Sequence, residues 1–99
     1  MTAGDYGKPR PALIIQNNVF NAIHSSIVIC PITSHVEKEI IFRPTLLPDV
    51  QNGLEKISQV MIDKLTTIKR EKIGKILGNI SFHKQEEVMR ALKLWLDIE

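Results

Sequence analysis

The longest uninterrupted apolar run in this chain is Ile27-Val28-Ile29-Cys30-Pro31-Ile32, far short of the ~20 residues a membrane-spanning helix needs. It reads as part of a strand over residues 26–33, with Pro31, which has no N–H to donate, marking a bulge or the point where the strand leaves the sheet. The other apolar segments are short as well. Ala12–Gln16 reads as a buried strand bounded by Asn17-Asn18, and Glu39–Arg43 as one that stops at Pro44. Residues 58–64 give a fourth strand, with Gln59, Met61 and Asp63 on one face and Ser58, Val60 and Ile62 on the other. Lys72–Gly78 reads as a last strand, weakened by its glycines. Between these, Gly4–Pro11 holds two Gly and two Pro and is a loop. Asn52-Gly53 is a turn in a longer loop, and Thr66-Thr67 reads as the cap of a short helical turn over residues 68–71.

From Ser81 the period changes. Ser81 is an N-cap candidate, and Val88, Ala91, Leu92 and Trp95 recur at helical spacing. Strands followed by one terminal amphipathic helix predict a mainly β, small antiparallel barrel-like domain with the helix packed on it. One domain is expected over residues 1–99. Phe20, Phe42, Phe82 and Trp95 are expected in its core, with Leu92 and Trp95 turned toward the barrel.

Composition narrows the function classes. Hydrophobic residues make up 43% and charged residues 24%, an ordinary globular balance that argues against disorder. Met1-Thr2-Ala3 leads into Gly and Pro rather than an apolar stretch, so no secretory signal is expected and a cytoplasmic location follows. Cys30 stands alone, so no internal disulfide is possible, and one Cys with three dispersed His cannot supply the usual zinc spacings. No metal and no cofactor are expected. Net charge is +2, but residues 64–75 carry five basic side chains against Glu71 alone. Such a segment suits either a solvated face or a polyanionic partner, with nucleic acid first among polyanions.

Polar groups collect at strand edges, where small β domains place their sites. Lys8 and Arg10 precede the first strand, Thr33 and Ser34 follow the second, and Gln59 and Asp63 lie along the fourth. Arg10, between Pro9 and Pro11, presents its guanidinium from a backbone with little freedom, which suits bidentate contact with phosphate. The order of these elements resembles that of the MazF/PemK-type toxins. Gly4-Asp5-Tyr6-Gly7-Lys8-Pro9-Arg10-Pro11 and the strand after it are similar to that family's opening loop and strand. Cys30-Pro31-Ile32-Thr33-Ser34 resembles its second motif. Asn52-Gly53-Leu54 with Ser58–Ile68 resembles the third, and Gly74–Ser81 the strand leading into the terminal helix.

The resemblance implies an SH3-like β-barrel homodimer of the MazF/PemK/CcdB kind. It implies the toxin of a type II toxin–antitoxin system: a metal-independent endoribonuclease that cuts single-stranded mRNA at short sequences and is held inactive by a MazE/PemI-like antitoxin. The chemistry is attack of the ribose 2′-hydroxyl on the adjacent phosphorus, leaving a 2′,3′-cyclic phosphate and a 5′-hydroxyl. Carried over to this chain, Arg10 matches the arginine that contacts the scissile phosphate as acid or electrostatic stabiliser. Thr33 matches the catalytic hydroxyl, and Asp63 an acidic position implicated as base in some members. Lys8, Ser34 and Gln59 fall at RNA-contacting positions. Tyr6, His35 and Lys64 join them as candidates: Tyr6 could stack on a base, and His35 could carry a proton. Met61 departs from members that carry arginine there. Members also begin with a strand of the form Arg-Gly-acid-hydrophobic, whereas this chain starts inside the following loop, so that strand is expected to be missing and an edge left unpaired. Two other readings share the barrel: a CcdB-like gyrase poison, and an inactive binding module. The first has no counterpart of Lys8–Pro11 with Pro31–Ser34, and the second would be expected to lack Arg10 or Thr33.

Overall fold

The computed structural model describes residues 10–38 and 40–99 together with the backbone of residues 2 and 3. Its strands are β1 (Thr2–Ala3), β2 (Ala12–Ile14), β3 (Ser26–Thr33), β4 (Thr45–Leu46), β5 (Ser58–Val60), β6 (Thr66–Lys69) and β7 (Ile76–Gly78), with helices α1 (Asn18–Asn21) and α2 (Phe82–Leu96). All pairings are antiparallel; the order is β4-β5-β3-β2-β1-β7, and β6 also pairs β3. The fold is therefore the expected one, mainly β with a single long terminal helix.

β3 follows its prediction over 26–33. Period two divides β2 and β3 between two clusters: Leu13, Cys30 and Ile32 face the main core under α2, while Ala12, Ile14, Ile27 and Ile29 form a smaller one on the other face. Pro31 sits where β3 changes partner on one side, from β6 at residues 26–29 to β5 at residues 32–33. The ladder thus passes from one strand to another at the residue that cannot donate.

Several segments differ from their sequence expectation. Of the strand expected over 39–43, residue 39 lies outside the described residues, and 41–42 form a turn closed by the Arg43 N–H to the Ile40 carbonyl at 2.9 Å. The Phe42 and Pro44 carbonyls accept from Ile62 and Val60, but Pro44 has nothing to donate, and the strand begins only at Thr45. The strand expected over 58–64 ends at Val60, because residues 62–64 coil into a 3-10 turn. Ser58, Gln59 and Val60 are all buried, so the two-faced reading of this strand fails: β5 is covered on both faces, between β4 and β3. Thr66 and Thr67 cap no helix. With Ile68 they form a β-branched strand against Ile29–Ile27, and only residues 70–72 make a 3-10 turn. The last strand is confined to residues 76–78.

The chain is not left with the open edge expected at its start. Thr2-Ala3 pairs β2 on one side and β7 on the other, so two residues of backbone bridge the position. The rest of the loop 4–9 lies outside the described residues. At the far side the sheet curls until the Asn79 N–H reaches the Gln51 carbonyl at 2.9 Å, which brings β7 against the turn after β4.

α2 begins where Ser81 predicts, its hydroxyl accepting the Lys84 N–H at 3.2 Å, and ends at Asp97 in the left-handed region. Val88 and Ala91 seal the main core, with Leu92 half-buried against it. The aromatic residues are less buried than expected. Phe82, the first helical residue, is 73% exposed, Phe20 on α1 is 51% exposed, and Trp95 is 47% exposed. Trp95 does lean on Phe42, with ring centroids 5.1 Å apart and planes tilted at 45°, so it is half-buried against the domain.

The turn at residues 50–52 is drawn tight by two close approaches. Gly53 has φ +69°, and a Cβ there would collide with the Leu77 carbonyl; one on Gly78 would collide with the Gln51 carbonyl. Gly53→Ala is therefore expected to destabilise the fold by about 1–3 kcal/mol, read as a lower urea midpoint with an unchanged slope.

Candidate active site

An open groove of about 740 Å³ runs along one end of the sheet. One wall is built by β2 and β3. Ala12 pairs Pro31, and the Ile32 N–H donates to the Pro11 carbonyl at 3.1 Å. That register, continued one step, sets Arg10 opposite Thr33, and both line the groove. The chain then turns. The His35 N–H donates to Thr33 Oγ1 at 3.1 Å, so Ser34 and His35 project along the same wall. The bond uses a lone pair of the Thr33 hydroxyl and leaves its proton to be donated. Gly53, Leu54, Glu55 and Lys56 form the opposite wall, with Met61 and Lys75 also lining the space.

Of the residues singled out in the sequence, Arg10, Thr33, Ser34 and His35 come together here. Tyr6 and Lys8 lie outside the described residues. Three others are elsewhere. Lys64 is exposed at the end of the 3-10 turn and does not line the groove. Gln59 is not on the surface: it is 1% exposed, and its side chain bonds protein groups, so it does not present itself to RNA. Asp63 is held in a two-pronged ion pair, with Arg43 Nε to Oδ1 at 3.0 Å and Nη2 to Oδ2 at 2.9 Å, each side chain about one-sixth exposed. The guanidinium holds the Asp63 carboxyl below the usual carboxylate range, against the opposing effect of burial. The same bond raises Arg43 above its ordinary value. Asp63 is thus engaged on both oxygens and does not line the groove that holds Arg10 and Thr33.

Cys30 beneath the sheet is fully buried, and burial, with a smaller contribution from the Asp63 charge, pushes its thiol up to about 12. It is an inert core group. Sequence reasoning missed Arg43, Glu55 and Lys56. Lys75 belongs to the basic segment 64–75, and Met61 stands where some family members carry arginine. Among the described residues, no three His, Cys, Asp or Glu side chains cluster as a metal site, and no helix is long and apolar enough to cross a membrane. A second concavity of about 600 Å³, between residues 40–45 and α2, contains none of Arg10, Thr33 or His35.

Residues 1–96 match the family model described as PemK-like, MazF-like toxin of type II toxin-antitoxin system. The sequence is 35% identical over 92 residues to a probable endoribonuclease MazF of Mycolicibacterium smegmatis, an alignment covering 93% of this chain and 84% of that protein. In structure it is similar to the Mycobacterium tuberculosis toxin MazF-mt6, with a TM-score of 0.86 at 23% identity, over 99% of this chain and 96% of the other. It is also similar to an endoribonuclease from a mycobacterial species solved in complex with its cognate antitoxin, with a TM-score of 0.84 at 20% identity, over 99% and 93% of the two chains.

Asp63→Asn keeps the shape of the side chain and removes its charge, at an expected cost of about 2 kcal/mol at neutral pH. The folded carboxyl lies below its unfolded value of about 3.9, so the contribution is complete above that pH and is lost as pH falls through the folded value. Urea midpoints of the wild type and variant, well separated at pH 7, are expected to converge in acid.

Proposed function

Because the chain belongs to the PemK-like, MazF-like toxins of type II toxin–antitoxin systems, we propose that it is a metal-independent, sequence-specific endoribonuclease that cuts single-stranded mRNA in the cytoplasm. The observation that supports this most directly is the meeting of Arg10, Thr33 and His35 in one groove open enough for an extended strand. Its partners on this reading are the RNA, a MazE/PemI-like antitoxin that silences it, and a second copy of the chain.

The reaction forms a bond between the ribose 2′-oxygen and phosphorus and breaks the bond from phosphorus to the 5′-oxygen. It needs a proton acceptor at the 2′-hydroxyl, a donor at the 5′-oxygen, and positive charge against the phosphorane. Arg10 supplies the charge and donates to the leaving 5′-oxygen. The Thr33 hydroxyl donates to a non-bridging oxygen. Two described lining side chains can accept a proton, His35 and Glu55. His35 stands two residues from Thr33, on the turn that Thr33 itself closes, and we assign it the 2′-hydroxyl proton in place of Asp63. Lys56 and Lys75 extend the positive charge along the groove, where flanking phosphates would lie.

Incubation of the purified protein with a long single-stranded RNA in EDTA is expected to give cuts at one short motif with 5′-hydroxyl ends. Arg10→Ala should lower the rate about 10²–10³-fold with an unchanged thermal melt, and Thr33→Val about 10²-fold. A fully folded wild-type chain that leaves every RNA intact would sink the reading. His35→Gln is expected to cost about 10²–10⁴-fold, whereas Asp63→Asn, measured where both chains are fully folded, should keep most of the wild-type rate.

A further inference from the structure

We infer that Gln59 is a positioning residue for the active-site turn, acting through the backbone of Glu37; this rests on the ribonuclease reading above. Gln59 lies directly across the β3–β5 ladder from Thr33. Its side chain is almost wholly buried, yet it carries an amide that must be satisfied. Both ends of that amide are used on one residue. Oε1 accepts the Glu37 N–H at 3.2 Å, and Nε2 donates to the Glu37 carbonyl at 3.1 Å and to Thr45 Oγ1 at 3.4 Å. The amide therefore treats Glu37 as a neighbouring strand would, although no strand is present there.

Burial does not hold this stretch in place. Ser34, His35, Val36, Glu37 and Lys38 are all exposed. Among the described residues, the hydrogen bonds holding residues 34–38 to the body of the protein are the one at Thr33 Oγ1 and the pair at Gln59. The first sets how the chain leaves β3, and the second sets where it arrives. Ser34 and His35 lie between the two anchors. Removing the Gln59 anchor leaves the fold's hydrophobic contacts intact but frees the far end of the segment that carries His35. Displacement of a reacting group by about 1 Å costs about 10²-fold in rate.

Two measurements test this. In the wild type, amide exchange followed by NMR should show the Glu37 N–H protected although its residue is exposed, and Gln59→Leu should release it while the β3 amides stay protected. An unprotected Glu37 N–H in the wild type would overturn the proposal without any reference to catalysis. The second uses Gln59→Glu, with cleavage of a mapped RNA measured at a temperature where both chains are fully folded. At neutral pH the carboxylate faces the Glu37 carbonyl and cannot donate, so kcat should fall about 10²-fold with KM little changed. As pH falls the acid regains the proton that the amide's NH₂ supplied, and the variant's kcat, divided by that of the wild type at each pH, should climb toward one. A ratio near one at every pH would overturn the positioning role while the wild type's cleavage kept the ribonuclease reading intact. A wild type that cuts nothing would remove that reading and leave the exchange measurement to judge the anchor alone.

Discussion

β3 has to serve two partners along one edge. From Ile32–Val60 to Ile29–Thr66 it advances three residues while the chain paired with it advances six. The excess is coiled into the 3-10 turn at residues 62–64, so β5 and β6 are in effect one bent strand with a kink. The kink falls beside Pro31, whose carbonyl accepts the Met61 N–H at 2.8 Å and whose nitrogen asks for nothing in return. A continuous ladder there would leave a donor-less position facing an acceptor. Instead the partner folds away, and Met61 at the start of the fold-away is delivered to the groove. The Arg43–Asp63 pair grips the kink from outside, and Cys30 and Ile62 fill it from beneath. Strand order, groove wall and ion pair are all arranged around one proline near the end of a long strand.

This explains which parts of the chain could be read beforehand. β3 and α2 are long enough for their periodicity to outvote local accident, and Ser81 marks its helix with a cap that needs no tertiary context. Arg10 and Thr33 meet because backbone register carries them, and register follows from the apolar pattern of β2 and β3. The failures share the opposite property. Alternation along a straight strand puts Asp63 and Gln59 on one face, and the strand is not straight. Thr66-Thr67 has the composition of a cap but the branched side chains of a strand, and pairing with β3 decided between them. Arg43 was hidden because its partner is twenty residues away and nothing local announces the pair. Phe82, expected inside, is the first residue of a helix whose inner face is filled by Val88 and Ala91, and Phe20 lies on a one-turn helix that buries none of its residues.

The groove's two walls are built on different terms. On one side, Asn52 is buried and satisfied on every hand: its Oδ1 takes the Asp49 and Leu54 N–H groups at 3.1 and 2.9 Å, and its Nδ2 gives to the Leu47 carbonyl at 2.8 Å. Glycine contacts clamp that turn to β7. On the other side, an exposed ribbon hangs between two side-chain anchors. On the ribonuclease reading, a strand of nucleic acid laid between them meets one face fixed by buried bonds and one fixed by two side-chain anchors alone. A wall built into the core recognises by shape, and its discrimination is set when the chain folds. A wall held at two points carries its chemistry on few bonds, so a sequence that binds while disturbing one anchor would be cut slowly, and selectivity can reside in the rate of cutting rather than in the strength of binding.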